Sequence, residues 1–281
     1  MDELEFELSK TTIKQALQAA QTLGLDRLDA QLLLLHALSK PESDRAWLLA
    51  HDDDVLDESI AEAFCTLKAR RATGEPLAYI VGYKEFFGLR LKVDARVLVP
   101  RPDTETLVQW ALDVVNNVPK PEILDMGTGS GAVAIAIAYT LNARVVATDF
   151  SEKALAVASH NGRYFGVDVQ FVHSNWFEKV SGHYHAIVSN PPYIESSDPH
   201  LAVLTHEPLS ALAAGSDGLN DIRQIVELAP QRLMPGGWLL LEHGYDQAER
   251  VRALLTERGF TQVQSRMDLA GIARCSGGQW A

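Results

Sequence analysis

Up to about Arg71 the apolar residues recur at helical spacing. Ile13, Ala16, Leu17 and Ala20 form one stripe behind Thr11 or Thr12, either of which can cap a helix that Gly24 ends. A second helix spans about 28–38 and stops before Pro41. Ser43 can cap a short third helix carrying Trp47, Leu48 and Leu49, and Leu56, Ile60, Phe64 and Leu67 make the stripe of a fourth. Helices packing on one another account for these stripes without a ligand, and the stretch holds no catalytic constellation.

Thr73-Gly74-Glu75-Pro76 interrupts the helical pattern. Residues 83–99 then alternate in places and are split by Gly88, as a β-hairpin would be. Beyond them, short apolar runs at 123–126, 144–148, 169–172, 185–188 and 238–241 read as strands. Helical patterns at 132–141, 152–165, 221–233 and 247–258 fall between or after them, and a β segment closes the chain. Strands alternating with helices predict an α/β domain, a doubly wound and mostly parallel sheet covered on both faces. The expected organisation is a helical domain over 1–74, a β-hairpin linker over 75–100 and a catalytic domain over 101–281.

Composition narrows the class. With 281 residues, 47% hydrophobic and 22% charged, the chain can bury a substantial core. Its net charge of -12 argues against broad binding of a phosphate backbone. Cys65 and Cys275 stand far apart, which indicates neither a disulfide framework nor a zinc cluster. The opening Met1-Asp2-Glu3-Leu4-Glu5 lacks the basic and apolar regions of a signal peptide, and no apolar run approaches a membrane span. A cytoplasmic protein without a membrane partner is expected. His183, His185, His200 and His206 are close in sequence but lack a helical His-x-x-x-His pair, so no metal is expected.

Candidate chemistry gathers at strand ends, where open α/β sheets bind ligands. Gly127-Thr128-Gly129-Ser130-Gly131 follows the first core strand and opens the next helix, and glycines there let the backbone turn sharply and a ligand approach closely. Asp149 ends the next strand, the position from which a carboxylate reaches ribose hydroxyls. Together they point to a nucleoside cofactor. The spacing of Gly127, Gly129 and Ala132 also suits a dinucleotide, so the loop alone leaves NAD open. Asp125, two residues before the first glycine, favours S-adenosylmethionine, because a carboxylate there can anchor the methionine ammonium directly or through water. Trp176, after the third strand, either flanks an adenine or fills the core.

Asn190-Pro191-Pro192-Tyr193 follows the apolar run Ala186-Ile187-Val188. A residue before proline is pushed to an extended conformation, and prolines donate no backbone N–H. The segment is therefore a stiff corner that offers the Asn190 side-chain oxygen and the Pro191 carbonyl as acceptors beside the Tyr193 ring. It suits a planar NH2, of an amide or of a nucleobase, and has no evident use in hydride transfer.

Several further motifs occur alongside these: Pro100-Arg101-Pro102-Asp103-Thr104-Glu105, Glu207-Pro208, Ala211-Leu212, Gly215, Asp217-Gly218 and Leu241-Glu242-His243-Gly244. In this order, and over nearly the whole chain, the set resembles the release-factor glutamine methyltransferases of the HemK or PrmC type. The resemblance implies a Rossmann-like class I S-adenosylmethionine-dependent fold with a small N-terminal helical bundle that docks substrate. It implies methyl transfer to the side-chain amide of the glutamine in the Gly-Gly-Gln motif of class I peptide-chain release factors, leaving S-adenosylhomocysteine. By the same resemblance Gly127, Thr128, Gly129, Ser130, Gly131, Asp149, Trp176 and Asn190 bind the cofactor. Asn190, Pro191, Pro192 and Tyr193 bind the glutamine, with Asn190, Pro191 and Tyr193 carrying the catalysis. Met126 stands where the family usually has Leu.

Related enzymes that methylate a ribosomal-protein glutamine typically carry Pro-Arg-Ser-Pro where this chain has Pro100-Arg101-Pro102-Asp103, which favours release factors and leaves the ribosomal protein as the alternative. A DNA or RNA amino-methyltransferase would accept the same NH2, but the acidic balance and the missing target-recognition domain count against it. An NAD-dependent oxidoreductase and a methyltransferase-like binding protein are the remaining alternatives. A monomer without direct nucleic-acid contact is expected. Asp103 and Thr104 are expected to cap a helix beginning near Thr104, and Glu207 and Asp217 to order the loop after the fourth strand.

Overall fold

Helix formation at the start of the described residues is settled by one reciprocal pair. The Thr12 hydroxyl accepts the Gln15 backbone N–H and the Gln15 side chain accepts that of Thr12, so Thr12 rather than Thr11 caps α1 (Ile13–Thr22). The computed structural model describes residues 11–281, and the acidic opening read as no signal peptide lies outside the described residues. The chain divides into two compact units, one made of the described residues through Gly82 and one from Tyr83 to Ala281.

In the first unit, α2 (Arg27–Ala37), α3 (Arg45–Ala50) and α4 (Glu58–Ala72) pack with α1 around Leu33, Leu34, Leu35, Leu48 and Phe64. Ser43 does not cap α3. It lies inside a 3-10 turn, Glu42–Asp44, where its hydroxyl donates to Asp44. Leu48 is buried while Leu49 is 58% exposed, because a six-residue helix turns only one narrow face inward. A short helix, α5 (Leu77–Val81), starts after Pro76 and ends on Gly82 in the left-handed conformation. Its Ile80 joins the same core.

The second unit opens with the hairpin β1 (Tyr83–Phe86) and β2 (Leu89–Lys92), whose two-residue turn puts Phe87 and Gly88 at positive φ. Phe86, Leu89 and Leu91 pack into the cluster that also holds Trp110 of α6 (Glu105–Val115). Then β3 (Glu122–Met126), α7 (Ala132–Thr140), β4 (Arg144–Asp149), α8 (Glu152–Phe165), β5 (Val169–His173) and β6 (Tyr184–Ser189) follow. The chain ends through α9 (Asn220–Leu228), β7 (Leu233–Glu242), α10 (Ala248–Arg258), β8 (Thr261–Met267) and β9 (Ala273–Gln279).

The sheet order is β5-β4-β3-β6-β7-β9-β8, parallel through β7, with β9 antiparallel to both its neighbours. Ile123 points into one apolar cluster and Leu124 into the other, so β3 is buried on both faces, with Asp125 the one charged residue inside its buried run. From β3 the chain crosses to β4 on one side and later returns to β6 on the other. The carboxyl ends of β3 and β6 thus form a topological switch point.

The turn after β3 depends on a bare α-carbon. Gly131 has φ +83°, and a Cβ there would lie 2.8 Å from Ile135 Cδ1 and 3.2 Å from Ala158 Cβ, whereas Gly129 at φ +57° has open space. Gly129→Ala should cost about 1–2 kcal/mol for its left-handed backbone. Gly131→Ala should cost roughly 1–3 kcal/mol more through overpacking. Urea unfolding of the two variants checks the ranking, and equal losses would contradict the packing account.

Candidate active site

The register of the central strands assembles the site. Met126 of β3 pairs with Ser189 of β6, and the Ser189 hydroxyl donates to the Met126 carbonyl at 2.7 Å, so Gly127 and Asn190 leave the sheet side by side. A cavity of about 300 Å³ opens at these ends. Of the residues singled out by sequence, Gly127, Gly129, Asp149, Trp176, Asn190 and Pro192 line it. Gly127 has φ +70°, and its missing Cβ faces the Trp176 ring at 3.7 Å. Trp176 itself has a positive φ of 45°, a strained conformation that the packing around it must offset.

Asp149 receives the Gly129 N–H at 2.9 Å on one oxygen and the Ser151 N–H at 2.9 Å on the other. Each oxygen retains a lone pair for a hydroxyl in the cavity. Burial raises the Asp149 pKa above the usual carboxylate value, and the backbone donors oppose the rise.

Thr128, Ser130 and Gly131 stand outside the lining and shape the loop from below. The Thr128 hydroxyl donates to Asp125 Oδ2 at 2.6 Å, and the Ser130 carbonyl accepts the Asn161 side-chain amide at 2.9 Å. Asn161 also exchanges two hydrogen bonds with the Lys92 backbone, tying β2 to the glycine loop. Asp125 is 1% exposed and outside the cavity lining, and its Oδ2 accepts the Ala134 N–H at 3.2 Å besides the Thr128 hydroxyl, so that it braces the loop from beneath.

A second cavity of about 160 Å³ is lined by Arg101, Tyr193, Ile194, Leu204 and Leu212. It shares Leu98, Asn190 and Ala211 with the first. Asn190 therefore stands between a cofactor-sized space and a smaller one. Its Nδ2 donates to Thr104 Oγ1 at 3.2 Å, leaving Oδ1 as an acceptor. Pro191 is buried and lines neither cavity. Burial raises the Tyr193 phenol pKa, with the nearby Glu242 carboxyl adding to the rise, so the phenol stays neutral.

The loop after β6 is fixed from several sides. Ile194 pairs with Ala213, and Gln247 donates to the Tyr193 carbonyl at 3.0 Å. Glu207, 7% exposed, accepts the Val99 N–H at 3.0 Å and the Arg101 guanidinium at 2.5 Å. Asp217 pairs with Arg223 and Arg250. Both acids order the loop as their positions suggest.

Asp103 and Thr104 do not cap α6. A 3-10 turn, Pro102–Thr104, leads into that helix, and neither side chain caps it. Asp103 pairs with Arg274 at 3.2 Å, Thr104 turns to Asn190, and Glu105 accepts the Phe87 N–H at 3.0 Å. Pro208 and Ala211 of the sequence motifs also line the first cavity, as do residues 96–98 and Asp221, which no local pattern marks. The buried Glu242 beside Asn190 did carry a signal: an acidic residue closing the apolar run 238–241. Among the histidines, His185 Nδ1 accepts the Glu122 N–H and His200 pairs with Asp198. No group of three or more His, Cys, Asp or Glu able to hold a metal is found among the described residues. None of the described helices is long and apolar enough to cross a membrane.

A glycine turn, an acid ending the next strand and an amide-acceptor corner, on a sheet with this strand order, define a methyltransferase. Residues 104–214 match the methyltransferase small domain and residues 11–82 the PrmC N-terminal domain. The chain is 47% identical to the release factor glutamine methyltransferase of Bordetella pertussis, covering 91% of this chain and 95% of that one. It is likewise 47% identical to the protein of that name from Coxiella burnetii, covering 88% and 90%. The chain belongs to the release factor glutamine methyltransferase family. In fold alone it is similar to a T. thermophilus 16S rRNA methyltransferase solved in complex with AdoMet and guanosine, with a TM-score of 0.53 and 18% identity over 71% of this chain and 50% of that one.

Burial, and to a lesser degree the charge of Asp149, push the Asp125 pKa up to about 7 against its hydrogen bonds. The unfolded chain releases this proton near pH 4. Between about pH 4 and 7 the native state binds more protons, so this stabilising contribution is full below pH 4 and is lost as the pH rises through 7. Asp125→Asn should gain stability relative to the unchanged protein as the pH rises from 4 to 8. Paired thermal melts check this, and a difference constant across that range would oppose it.

Proposed function

We propose that this protein transfers a methyl group from S-adenosylmethionine to the side-chain amide nitrogen of the glutamine in the Gly-Gly-Gln motif of class I peptide-chain release factors, in the cytoplasm. The observation that carries the reading is Asn190, which lines both cavities and whose Nδ2 is engaged by Thr104, so that Oδ1 is the acceptor left for substrate. Membership of a family whose curated members are named for this reaction supports it.

The first cavity fits the donor by its chemistry. Asp149 offers acceptors for ribose hydroxyls, Gly127 and Gly129 let a ligand approach the backbone, and Trp176 gives an aromatic face for adenine. When bound, the cofactor supplies an electrophilic methyl group on a sulfonium. Thr128, Ser130 and Gly131 would serve it indirectly, by holding the loop in shape.

A glutamine amide is a poor nucleophile, because its nitrogen lone pair is delocalised into the carbonyl. Asn190 Oδ1 accepts one of its hydrogens and turns the lone pair toward the first cavity, while Pro191, buried and outside the lining of both cavities, backs the corner rather than touching the amide. Pro192 stiffens the corner, and Tyr193, kept neutral, packs against the amide without acting as a base. Alignment of this kind is worth about 7–11 kcal/mol in favourable cases. The proton leaves to water after transfer, when the nitrogen has become acidic.

With labelled S-adenosylmethionine, a release factor should be labelled and the same factor with its Gly-Gly-Gln glutamine changed to alanine should not; equal labelling refutes the assignment. Asn190→Ala should keep cofactor affinity within about tenfold while turnover falls roughly 100-fold or more. Asp149→Ala should instead weaken cofactor binding in calorimetry, and unchanged affinity would remove its role at the ribose.

A further inference from the structure

Glu242 ends β7 beside the point where Asn190 leaves β6, since Ser189 and Leu241 are partners in register. The residue is 1% exposed, and its buried Oε2 has no hydrogen-bond partner. An acid in such a place is unfavourable, and packing alone does not account for it. Thr104 and Asn190 lie close enough to this carboxyl group to favour its charged form, and Asn190 Nδ2 donates to Thr104 Oγ1 at 3.2 Å.

The polarity of this small network matters to the reaction. The Asn190 amide serves as an acceptor for substrate only with its NH2 inward and its oxygen outward. Thr104 by itself does not choose between the two orientations, because a hydroxyl both donates and accepts. An ionised carboxylate does choose, since it only accepts. It takes the Thr104 hydroxyl proton, Thr104 must then accept from Asn190, and a flipped Asn190 would set its oxygen against two acceptors.

We propose that Glu242 sets the direction of a Glu242–Thr104–Asn190 hydrogen-bond chain, and that as a positioning residue it holds the Asn190 oxygen toward the acceptor amide without touching substrate. The proposal rests on the amide-methyltransferase reading given above. Protonating Glu242 gives the carboxyl group a donor and removes the constraint. Burial, the largest influence, pushes its pKa up to about 7; Asp103 raises it further, while Thr104, Arg274 and Asn190 lower it. The other titratable groups that face it, the Tyr193 phenol and the Cys275 thiol across the β7–β9 pairing, are held protonated by burial. Glu242 is therefore the group of this cluster that changes charge near neutrality.

The test reads Asn190 directly. In 15N-labelled protein the Asn190 side-chain NH2 signals, assigned by their loss in Asn190→Ser, should shift with pH through a single inflection near 7. The inflection should be absent in Glu242→Gln. Methyl transfer by Glu242→Gln, and by Thr104→Val, which keeps the shape but lacks the hydroxyl, should show kcat reduced about tenfold or more with the cofactor KM within about threefold. The kcat of the unchanged enzyme should rise through the same inflection, and the melting temperature of Glu242→Gln at pH 8 should be no lower. Asn190 signals that ignore pH, or that follow the same inflection in Glu242→Gln, overturn the proposal whether or not a release factor is labelled. Asn190 signals that respond as expected in an enzyme that labels no release factor sustain it and count against the substrate reading alone.

Discussion

Pairing of β3 with β6 is the constraint on which the site depends. These strands lie far apart in sequence, yet one register, locked where the Ser189 hydroxyl meets the Met126 carbonyl, puts the glycine loop and the Asn-Pro-Pro-Tyr corner at adjacent strand ends. A slip of one residue would turn every side chain of a strand to the opposite face. Ile123 and Leu124 face apolar clusters on opposite sides of the sheet, and the register is checked by polar groups: the Ser189 hydroxyl on the Met126 carbonyl and the buried Asp125 beneath the loop.

Around that junction the structure places buried polar groups that brace it. Asp125 sits under the glycine loop, Asn161 ties the loop to β2, Glu207 ties the segment before α6 to the loop after β6, and Glu242 lies behind Asn190. Each would be unfavourable in an apolar setting without partners. Their hydrogen bonds tie the glycine loop, β2, the segment before α6 and the loop after β6 to one another around the first cavity. Reaction by alignment needs this stiffness more than it needs a strong base, which the neutral Tyr193 does not provide.

Much of the fold was legible along the chain. The parallel strands, the helices between them and the hairpin at Gly88 all announce themselves through period and turn residues, and Gly127 to Gly131 and Asn190 to Tyr193 carry their conformation in glycine and proline. What was not legible is the partner of each polar side chain. Asp125 and Asp149 both end strands in similar local settings, yet one lies beneath the loop and the other in the cavity. Thr104 has the look of a helix cap and instead meets Asn190, 86 positions away. Ser43 looked like a cap too, and a 3-10 turn absorbed it.

The sequence by itself determined the class of fold, the glycine turn after β3 and the stiff Asn-Pro-Pro-Tyr corner after β6, because each of these follows from steric rules that act over a few neighbouring residues. Tertiary structure alone decided which carboxylate faces the ligand, how residues 96–98 come to line the cavity, and that Glu242 and Thr104 stand behind Asn190. Those facts follow from strand order and register. Both are fixed by the packing of two whole apolar faces, and no local stretch of chain contains that information.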